Sequence, residues 1–442
     1  MAGEWTTAHL GDVADLLTGF PFKSQHYVED SSAPRLLRGD NVVQGVLRWD
    51  GAKRWPTEGA DDLDQYHLRE GDVILAMDRP WIEAGLKYAS VRPSDLPALL
   101  VQRVARLRGT GRLDTGFLKY LIGSQAFTDY VLGVQTGTAV PHISGGQIKN
   151  FEFLLPPLPE QRAIAHILGT LDDEIELNRR MSETLEAMAR GLFKSWFVDF
   201  DPVRAKAEGR DPGLPKPLAD LFPARLVDSE LGEIPEGWEA GTFGDAVEQL
   251  RETENPLESP DTEFCHFSIP AYDDGQWPKR EIGESIKSLK SRVPAGVVLL
   301  SKLNPEIERV WLVDVQPDDR AISSTEFVVL APRAPHGRSF VYCLARSPSF
   351  RQELQGLVTG TSKSHQRAQV SSILGLAVVR PSEPLLSRFE QAAEPLLERT
   401  LECRRESRTL AALRDALLPK LVSGELRTPA GDRQGDPLSL LG

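Results

Sequence analysis

The chain has 442 residues, of which 40% are hydrophobic and 26% are charged, and its net charge is −13. This length exceeds one ordinary hydrophobic core, and the composition is that of a globular protein. The acidic balance argues against tight DNA binding by the chain alone, because Lys and Arg that neutralise phosphates dominate such affinity. The sequence has no apolar run long enough to cross a bilayer and starts without signal-peptide features, so we expect a cytoplasmic protein without membrane contact.

Short apolar segments rich in β-branched residues predict strands in two regions of the chain. These strands are predicted at 71–77, 101–108 and 151–155, and again at 296–302, 326–332 and 375–379. Helical spacing lies between them at 115–132 and 337–357, with Asp114 as the N-cap of the first helix. Each region is therefore predicted to fold as a mixed α and β domain.

Residues 154–200 predict one long amphipathic helix, on the order of 60 Å in length. Its apolar or small residues follow the alternating spacing of a coiled-coil seam. The seam positions are Ile164, Leu168, Leu171, Ile175, Leu185, Ala189, Leu192 and Trp196. Asn178 and Ser182 fall in the same seam, so its middle is polar. Residues 192–200 are more aromatic than one seam requires, which suggests an additional contact surface.

The sequence repeats itself at a nearly constant offset of 223 to 225 residues. The matched positions include Phe117 with Phe340, Ser124 with Ser347, Phe127 with Phe350, Thr184 with Thr409 and Leu192 with Leu417. The long helix therefore has its own repeat, 384–424, as the expected packing partner. Its predicted contacts are Leu385, Phe389, Ala393, Leu396, Leu410, Leu417 and Leu421.

The repeat and the composition divide the chain into successive segments. We expect a first globular domain at 1–155, a long helix at 156–200, a Pro- and Gly-rich linker at 201–235, a second globular domain at 236–382, a second long helix at 383–426 and a flexible tail at 427–442.

Several sequence strings resemble the specificity subunit of type I restriction–modification systems. They are PPLPEQRAIAHILGTLDDEIELNRR (156–180), the upstream TGTAVPHISGGQIKNFEFLLPP (136–157), LFKSWFVDFDPVRAK (192–206) and IPEGW (234–238). The resemblance covers nearly the whole chain in the order domain, helix, domain, helix. The second copy departs from the pattern, because SEPLLSRFEQAAEPLL (382–397) lacks an intact PLPEQ motif.

The resemblance implies an α+β fold with two mixed α/β target-recognition domains. Two long antiparallel helices would separate them, forming an intramolecular coiled coil within a pseudo-twofold repeat. Each domain would bind one half of a split target in double-stranded DNA, and the helices would set the unread gap. The implied partners are two methyltransferase subunits that bind S-adenosylmethionine and a restriction/translocase subunit that uses ATP and Mg. This chain itself would bind no cofactor.

Searches for catalytic patterns agree with a non-catalytic role. The sequence contains no P-loop, dinucleotide-binding or HExxH motif, and its three cysteines lack metal-binding or disulfide spacing. A coiled-coil scaffold whose globular domains bind proteins is the alternative from another class. A self-sufficient methyltransferase is a third hypothesis, disfavoured by the missing cofactor motifs.

Candidate DNA contacts in the first domain are basic side chains beside aromatic ones. They are Arg35, Arg38, Lys53 and Arg54, interleaved with Trp49 and Trp55, and Arg79 in the loop after a predicted strand. Solvation of an exposed face is the alternative role for the residues of the basic stretch. For the loop that contains Arg79, the alternative is an ordinary turn with a packed Trp81. For Arg103, Arg106 and Arg108, on another predicted strand, a solvated face is the expected role.

A second group of candidates recurs in both copies. Thr136, Gly137, Thr138 and His142 match Thr359, Gly360, Thr361 and His365, and small hydroxyl residues beside glycine allow close approach to a phosphate. The alternative is a turn that holds the base of the helix. Gln147 and Lys363 are further candidates, as is Lys302, which occupies the position of Met77 in the first copy.

Overall fold

The computed structural model describes residues 4–56, 61–137, 140–358 and 366–428. The chain divides into two compact units. Unit 1 comprises Met1–Leu177 with Glu406–Gly442, and unit 2 comprises Asn178–Arg405. The boundary between the units falls inside two long helices, so each unit contains one half of each helix.

Unit 1 begins with a mixed α and β domain. Its elements are β1 (Thr6–His9), α1 (Leu10–Val13), β2 (Ala14–Thr18), β3 (Arg35–Leu37), β4 (Gln44–Gly45), β5 (Val73–Ala76), β6 (Trp81–Ile82), β7 (Gly85–Leu86), β8 (Tyr88–Ser90), β9 (Ala98–Leu100), β10 (Val104–Gly109), α2 (Thr115–Ile122), α3 (Gln125–Val134), α4 (Gly145–Lys149) and β11 (Glu152–Leu155). The strands predicted at 71–77, 101–108 and 151–155 are β5, β10 and β11, which confirms these predictions.

The main sheet of unit 1 has the strand order β2-β10-β5-β8-β4. Strand β10 is antiparallel to both β2 and β5, and every residue of β5 is buried. The helix predicted after β10 is divided into α2 and α3. Asp114 caps α2 as predicted, accepting from the Phe117 amide at 3.1 Å. The Ser124 hydroxyl accepts from the Phe127 amide at 3.2 Å and starts α3, because a capping side chain replaces the missing helical bond there.

Unit 2 contains the second mixed α and β domain. Its elements are α6 (Asp201–Ala207), α7 (Lys216–Ala219), β12 (Leu226–Ser229), β13 (Gly232–Pro235), β14 (Glu239–Thr242), α8 (Phe243–Ala246), β15 (Val247–Leu250), β16 (Thr253–Glu254), β17 (Glu263–Phe267), α9 (Ile269–Asp273), β18 (Lys279–Ile282), β19 (Lys290–Arg292), β20 (Val298–Ser301), β21 (Val310–Leu312), β22 (Ala321–Ser323), β23 (Phe327–Pro332), α10 (Arg338–Ala345), α11 (Pro348–Gly356), α12 (Val370–Leu374) and β24 (Ala377–Arg380). The long helices are α5 (Leu158–Phe197) and α13 (Glu383–Ser423).

The repeat seen in the sequence is also a repeat of structure. Strands β15-β23-β20 of unit 2 follow the pattern of β2-β10-β5 in unit 1, and β14 pairs with β24 as β1 pairs with β11. The strands predicted at 296–302, 326–332 and 375–379 are β20, β23 and β24. Unit 2 adds a further sheet in the order β16-β19-β22-β17-β18.

The segment 201–235, predicted to be a linker, is instead folded. It forms α6, α7, β12 and β13, and Val203 and Phe222 lie in the main hydrophobic core of unit 2. Its Pro and Gly residues have local roles: Pro202 occupies the first turn of α6, and Gly232, the first residue of β13, adopts a φ of +87°. Amino-acid composition alone does not distinguish a folded segment rich in Pro and Gly from a flexible linker.

In unit 1, the halves of α5 and α13 pack antiparallel. Asp172 on α5 accepts from Arg414 on α13 at 3.0 Å, and Glu160, earlier on α5, accepts from Arg427 just beyond the end of α13. The apolar residues of the two helices that share the core of unit 1 include Ile164, Leu168, Leu417, Leu418 and Leu421. The apolar stripe of each helix is therefore covered by the other copy, as predicted.

In unit 2, the other halves of α5 and α13 also pack antiparallel. The rings of Phe193 and Phe389 lie 5.8 Å apart, and the Ser182 hydroxyl is 3.5 Å from the Thr400 carbonyl oxygen. Asn178 and Ser182, the predicted polar seam positions, are both buried. The seam is therefore polar in its middle, as the register predicts.

The aromatic end of α5 is not an additional contact surface, contrary to expectation. Phe193, Trp196, Phe197 and Phe200 are buried in the core of unit 2, where Phe197 packs edge-on against Phe340 and Phe200 against Trp238. The extra aromatic residues are needed because this end of the helix also forms part of the domain's core.

Two polar residues of the PLPEQ string attach α5 to the domain of unit 1. Glu160 accepts from the Trp5 indole at 2.9 Å and from Arg427 at 2.6 Å. Burial alone would raise the pKa of Glu160, but the hydrogen bonds from Arg427 and Trp5 outweigh it and hold the pKa below its usual value. Gln161, fully buried, accepts from the Asp114 amide at 2.7 Å and donates to the Arg112 and Pro156 carbonyls.

In unit 2, α13 is attached to its domain by a different residue, so an intact PLPEQ motif is not needed there. Glu390 on α13 accepts from the backbone amides of Ser339 and Phe340 at the start of α10, at 3.2 and 2.8 Å. Burial raises the pKa of Glu390, although these amides favour its charged form. Gly337 allows the approach, because a Cβ there would lie 2.2 Å from the Glu390 carboxyl carbon.

Replacing Gln161 by Leu should destabilise unit 1. The change removes the hydrogen bonds to the Asp114 amide and to the Arg112 and Pro156 carbonyls, and the loss at the buried Pro156 carbonyl alone costs about 1–3 kcal/mol. Thermal or urea denaturation measures the loss, and Glu174→Ala at an exposed position of α5 is the matched control. Equal stability of the Gln161→Leu variant and the control would contradict the assigned role.

Candidate nucleic-acid interface

The loop that follows β5 is joined to a second loop from later in the chain. The Arg79 amide donates to the Pro141 carbonyl at 2.6 Å, and the Ile143 amide donates to the Met77 carbonyl at 2.9 Å. Arg79 has a φ of +45°, a left-handed conformation that few non-glycine residues adopt. Its side chain is exposed at this junction. The two loops form one surface at the end of a buried strand.

A carboxylate holds two cationic or potentially cationic side chains on this surface. Asp78 accepts from His142 Nδ1 at 2.6 Å and from an Arg103 guanidinium nitrogen at 3.2 Å. Arg103 also has a left-handed backbone, with a φ of +68°. All three side chains remain partly exposed, so they present hydrogen-bonding groups in a fixed arrangement. The sequence indicated His142, but the role of Asp78 was missed.

The turn containing Thr136 and Gly137 closes against His142. Thr136 and His142 exchange two backbone hydrogen bonds, of 2.9 and 2.7 Å. Gly137 has a φ of +93°, and a Cβ there would lie 2.6 Å from the Val140 carbonyl oxygen, so the turn requires glycine. The predicted contact Thr138 lies outside the described residues.

Unit 2 has the same backbone junction at equivalent positions. The Asn304 amide donates to the Gln366 carbonyl at 2.7 Å, and the Ala368 amide donates to the Lys302 carbonyl at 3.0 Å. Asn304 has a φ of +48°, matching Arg79. The predicted equivalence of Lys302 and Met77 is therefore confirmed.

The counterpart of His142 in unit 2 is Arg367, not His365. Leu303 and Arg367 form the isolated β-bridge that Asp78 and His142 form in unit 1. The alignment of the Thr-Gly-Thr strings placed the equivalence two residues too early, because the spacing between this string and the bridge differs in the two copies. The remaining predicted contacts of this segment, Thr359, Gly360, Thr361, Lys363 and His365, lie outside the described residues.

Arg367 has a carboxylate partner, but the positions of the acidic and basic residues differ from those in unit 1. Its guanidinium donates to the Glu326 carboxylate at 2.8 and 3.0 Å. Glu326 stands where Arg103 stands in unit 1, because the Lys302 amide donates to the Glu326 carbonyl as the Met77 amide donates to that of Arg103. The same backbone thus presents different charged groups in the two units.

The basic stretch of unit 1 has mainly internal partners. Arg35 lies over the Trp49 ring at 4.4 Å and donates to the Ser94 carbonyl at 2.7 Å. Arg54 donates to the Ala33 carbonyl at 2.5 Å. These two arginines are therefore positioned to stabilise the domain, and a DNA contact by either one stays a prediction.

The other members of this stretch are more accessible. Lys53 is exposed, and Arg38 is exposed beside Asp40, at 3.6 Å. Lys87, which the sequence did not single out, donates to the Gly39 carbonyl and so connects this turn to the surface near Arg79. Burial lowers the pKa of Lys87, and the charge of Asp40 opposes the shift. Arg38 and Arg79 are thus candidates for the same surface.

Some basic and polar residues form hydrogen bonds or ion pairs within the domain of unit 1. Gln147 forms a capping box with Ser144 and donates to the Val134 carbonyl. Arg106 is buried beside Asp15, and Arg108 pairs with the buried Asp72. The expectation that these two arginines form a solvated face is wrong, because they form ion pairs with Asp15 on β2 and with Asp72, which directly precedes β5.

Within the described ranges, the structure contains no group of His, Cys, Asp and Glu side chains that could hold a metal ion. In the same ranges, no helix is both long and apolar enough to span a membrane.

Comparisons with known proteins show similarity to one family. Residues 2–187 match the model of the type I restriction modification DNA specificity domain. The chain is 27% identical over 321 residues to the specificity subunit of the type I restriction enzyme MjaIX from Methanocaldococcus jannaschii, covering 70% of this chain and 69% of that protein. It is 26% identical over 363 residues to the HindI specificity subunit from Haemophilus influenzae, covering 70% and 77%.

A solved structure shows the same fold. The S subunit of a type I restriction–modification system from M. genitalium matches with a TM-score of 0.56 at 13% identity, covering 95% of this chain and 96% of that one. The two proteins therefore share one fold over nearly their whole length. The chain is thus similar over residues 2–187 to the type I DNA specificity domain, and over about 70% of its length to type I specificity subunits.

Arg79→Ala and Arg35→Ala should separate a DNA contact from a structural arginine. Arg79 is exposed, so its loss should weaken DNA binding across sequences and reduce the salt-dependence slope by about one phosphate contact. Arg35→Ala should instead lower thermal stability, because it removes the Trp49 stack and the bond to Ser94. Fluorescence titrations at several salt concentrations measure the slope of DNA affinity against salt for each variant, and thermal denaturation measures stability. An unchanged slope for Arg79→Ala would contradict the contact.

Proposed function

We propose that the chain is the DNA-reading subunit of a type I restriction–modification complex, and that each unit binds one half of a split target. The observation that carries this proposal is the junction of two loops at the end of a buried strand, which both units contain. The junction at Arg79 and Pro141 and the junction at Asn304 and Gln366 have the same backbone hydrogen bonds. Two copies of one reading surface fit a target with two parts.

The side chains on these two surfaces differ, which favours two half-sites of different DNA sequence. Unit 1 presents Asp78 with His142 and Arg103, and unit 2 presents Arg367 with Glu326. Carboxylates accept from cytosine amino groups, and arginine donates to guanine O6 and N7. Because donors and acceptors are arranged differently on the same backbone, the two halves of the target should differ in sequence.

The partners follow from the family and from charge. A net charge of −13 leaves this chain poorly suited to hold DNA alone, so partner subunits must supply much of the positive charge. We expect two methyltransferase subunits that carry S-adenosylmethionine, and a translocase subunit that uses ATP and Mg. Two exposed apolar side chains of α5 fit a docking role for this helix: Leu177 in unit 1 and Met188 in unit 2.

The alternative of a coiled-coil scaffold that binds proteins is not favoured. The similarity of residues 2–187 to a DNA specificity domain favours DNA recognition, and the exposed Arg79 and Arg367 lie on the loops that both units repeat. A self-sufficient methyltransferase also lacks support, since the sequence has no cofactor-binding motif.

Methylation mapping tests the proposed function. Coexpression with the methyltransferase subunit encoded beside this chain should give methylated sites that share one split motif. Replacing residues 1–150 with the corresponding domain of another family member should change one half of that motif and leave the other half and the gap unchanged. Methylated sites without a split motif would contradict the proposal, as would a swap that changes both halves.

A further inference from the structure

The hairpin that follows Arg79 presents large apolar side chains to solvent. Trp81 and Ile82 in β6 pair with Leu86 and Gly85 in β7. Trp81 and Ile82 are each 38% exposed, and the two residues of the turn are exposed as well. Single exposed apolar residues need no explanation. An adjacent Trp-Ile pair near a hairpin tip, however, leaves a larger apolar area in contact with water, and its burial against a partner would be favourable. Such a pair marks a contact surface.

The hairpin is held in place from several sides. The Lys87 amide donates to the Pro80 carbonyl at 2.7 Å, and the Gln44 side-chain amide donates to the Gly85 carbonyl at 3.2 Å. Gly85 has a φ of +120°, which only glycine adopts readily, so the tight turn depends on it. A projection fixed in this way loses little freedom on binding a partner.

Unit 2 presents an isoleucine at the corresponding place. Ile307 is 42% exposed and follows the buried Pro305 by two residues, as Ile82 follows the buried Pro80. The Ile307 amide donates to the Asn304 carbonyl at 2.9 Å, which closes a turn. The two loops differ in length and in most residues, yet each projects an apolar side chain beyond the left-handed residue.

The position of these side chains identifies the partner. Arg79, directly before the hairpin, is exposed, and the adjacent Asp78 holds Arg103 and His142 at the same surface. The apolar tip is therefore continuous with the surface proposed to bind DNA. Apolar side chains that enter duplex DNA beside such contacts insert between base pairs and partly unstack them.

We propose that Trp81 and Ile82 of unit 1 and Ile307 of unit 2 are wedges, each inserted at one base-pair step of the half-site its unit binds. This inference rests on the proposed function and adds the way in which the DNA is deformed. Burial of the apolar side chains offsets the cost of unstacking. The step beside each wedge should be a pyrimidine–purine step, because TA and CA/TG steps deform most easily.

The test uses the complex of the full chain with its methyltransferase subunit and duplexes carrying the target found by methylation mapping. The fluorescent base analogue 2-aminopurine is placed at successive positions along each half-site, since its emission rises when it is unstacked. Wild-type complex should raise the emission at one position in each half-site. The double change Trp81→Ala with Ile82→Ala should abolish the rise in the half-site bound by unit 1 and weaken binding about tenfold.

The matched variants separate insertion from loss of folding. Ile307→Ala should abolish the rise in the other half-site alone, and Trp81→Phe should retain the rise because an aromatic ring remains. Leu154→Ala, at an equally exposed apolar position in β11, should change neither emission nor affinity. Melting temperatures of all variants verify that they fold.

Each remaining outcome counts against the wedge. Specific binding by the wild-type complex without any rise in emission would overturn it and leave the proposed function standing. A loss of emission with Leu154→Ala equal to that with the double change would also overturn it. A complex without sequence-specific DNA binding would contradict the proposed function, and the wedge with it.

Discussion

The structure depends on the burial of the apolar stripe on each long helix. A helix of this length cannot bury its own stripe, and here the covering surface comes from the second copy of the same unit in the same chain. Ile164 and Leu168 share a core with Leu421 in unit 1, and Phe193 packs against Phe389 in unit 2. Within each unit the apolar stripe is therefore covered by residues of the same chain.

Each long helix is also attached to a mixed α and β domain by polar side chains. Loss of these side chains would leave buried charges or amides without hydrogen-bond partners. In unit 1 the attachment is Glu160 with Trp5 and Arg427, and Gln161 with the loop before α2. In unit 2 Glu390 takes over by capping α10. A domain that reads DNA must be held firmly on its support, and these contacts supply that rigidity in two chemically different ways.

The periodic features of the fold could be predicted from the sequence. Strands β5, β10, β20 and β23 and the seam of α5 follow from short apolar runs and regular spacing, which depend on local residues. The linker prediction failed because Pro and Gly serve folded turns as well as flexible segments. The aromatic end of α5 was misinterpreted because burial by a domain distant in sequence leaves no local pattern.

The reading surface was harder to predict, since it depends on pairing between distant loops. Arg106 looked solvated, but Asp15 on a neighbouring strand neutralises it. Asp78 and Arg103 were not singled out as partners of His142, because 64 and 25 residues separate Asp78 from the two side chains it holds. Arg367 was missed as the counterpart of His142 because the two copies differ in spacing, and only the backbone bridge reveals the equivalence.

The resemblance implies that the helices set the gap between the two half-sites, and a change of helix length tests this most directly. Seven residues of helix, inserted after both Leu177 and Arg405, lengthen each helix by about 10 Å. Methylation mapping should then show both half-sites unchanged and the gap longer by about three base pairs, at 3.4 Å per pair. An unchanged gap, or altered half-sites, would contradict the account.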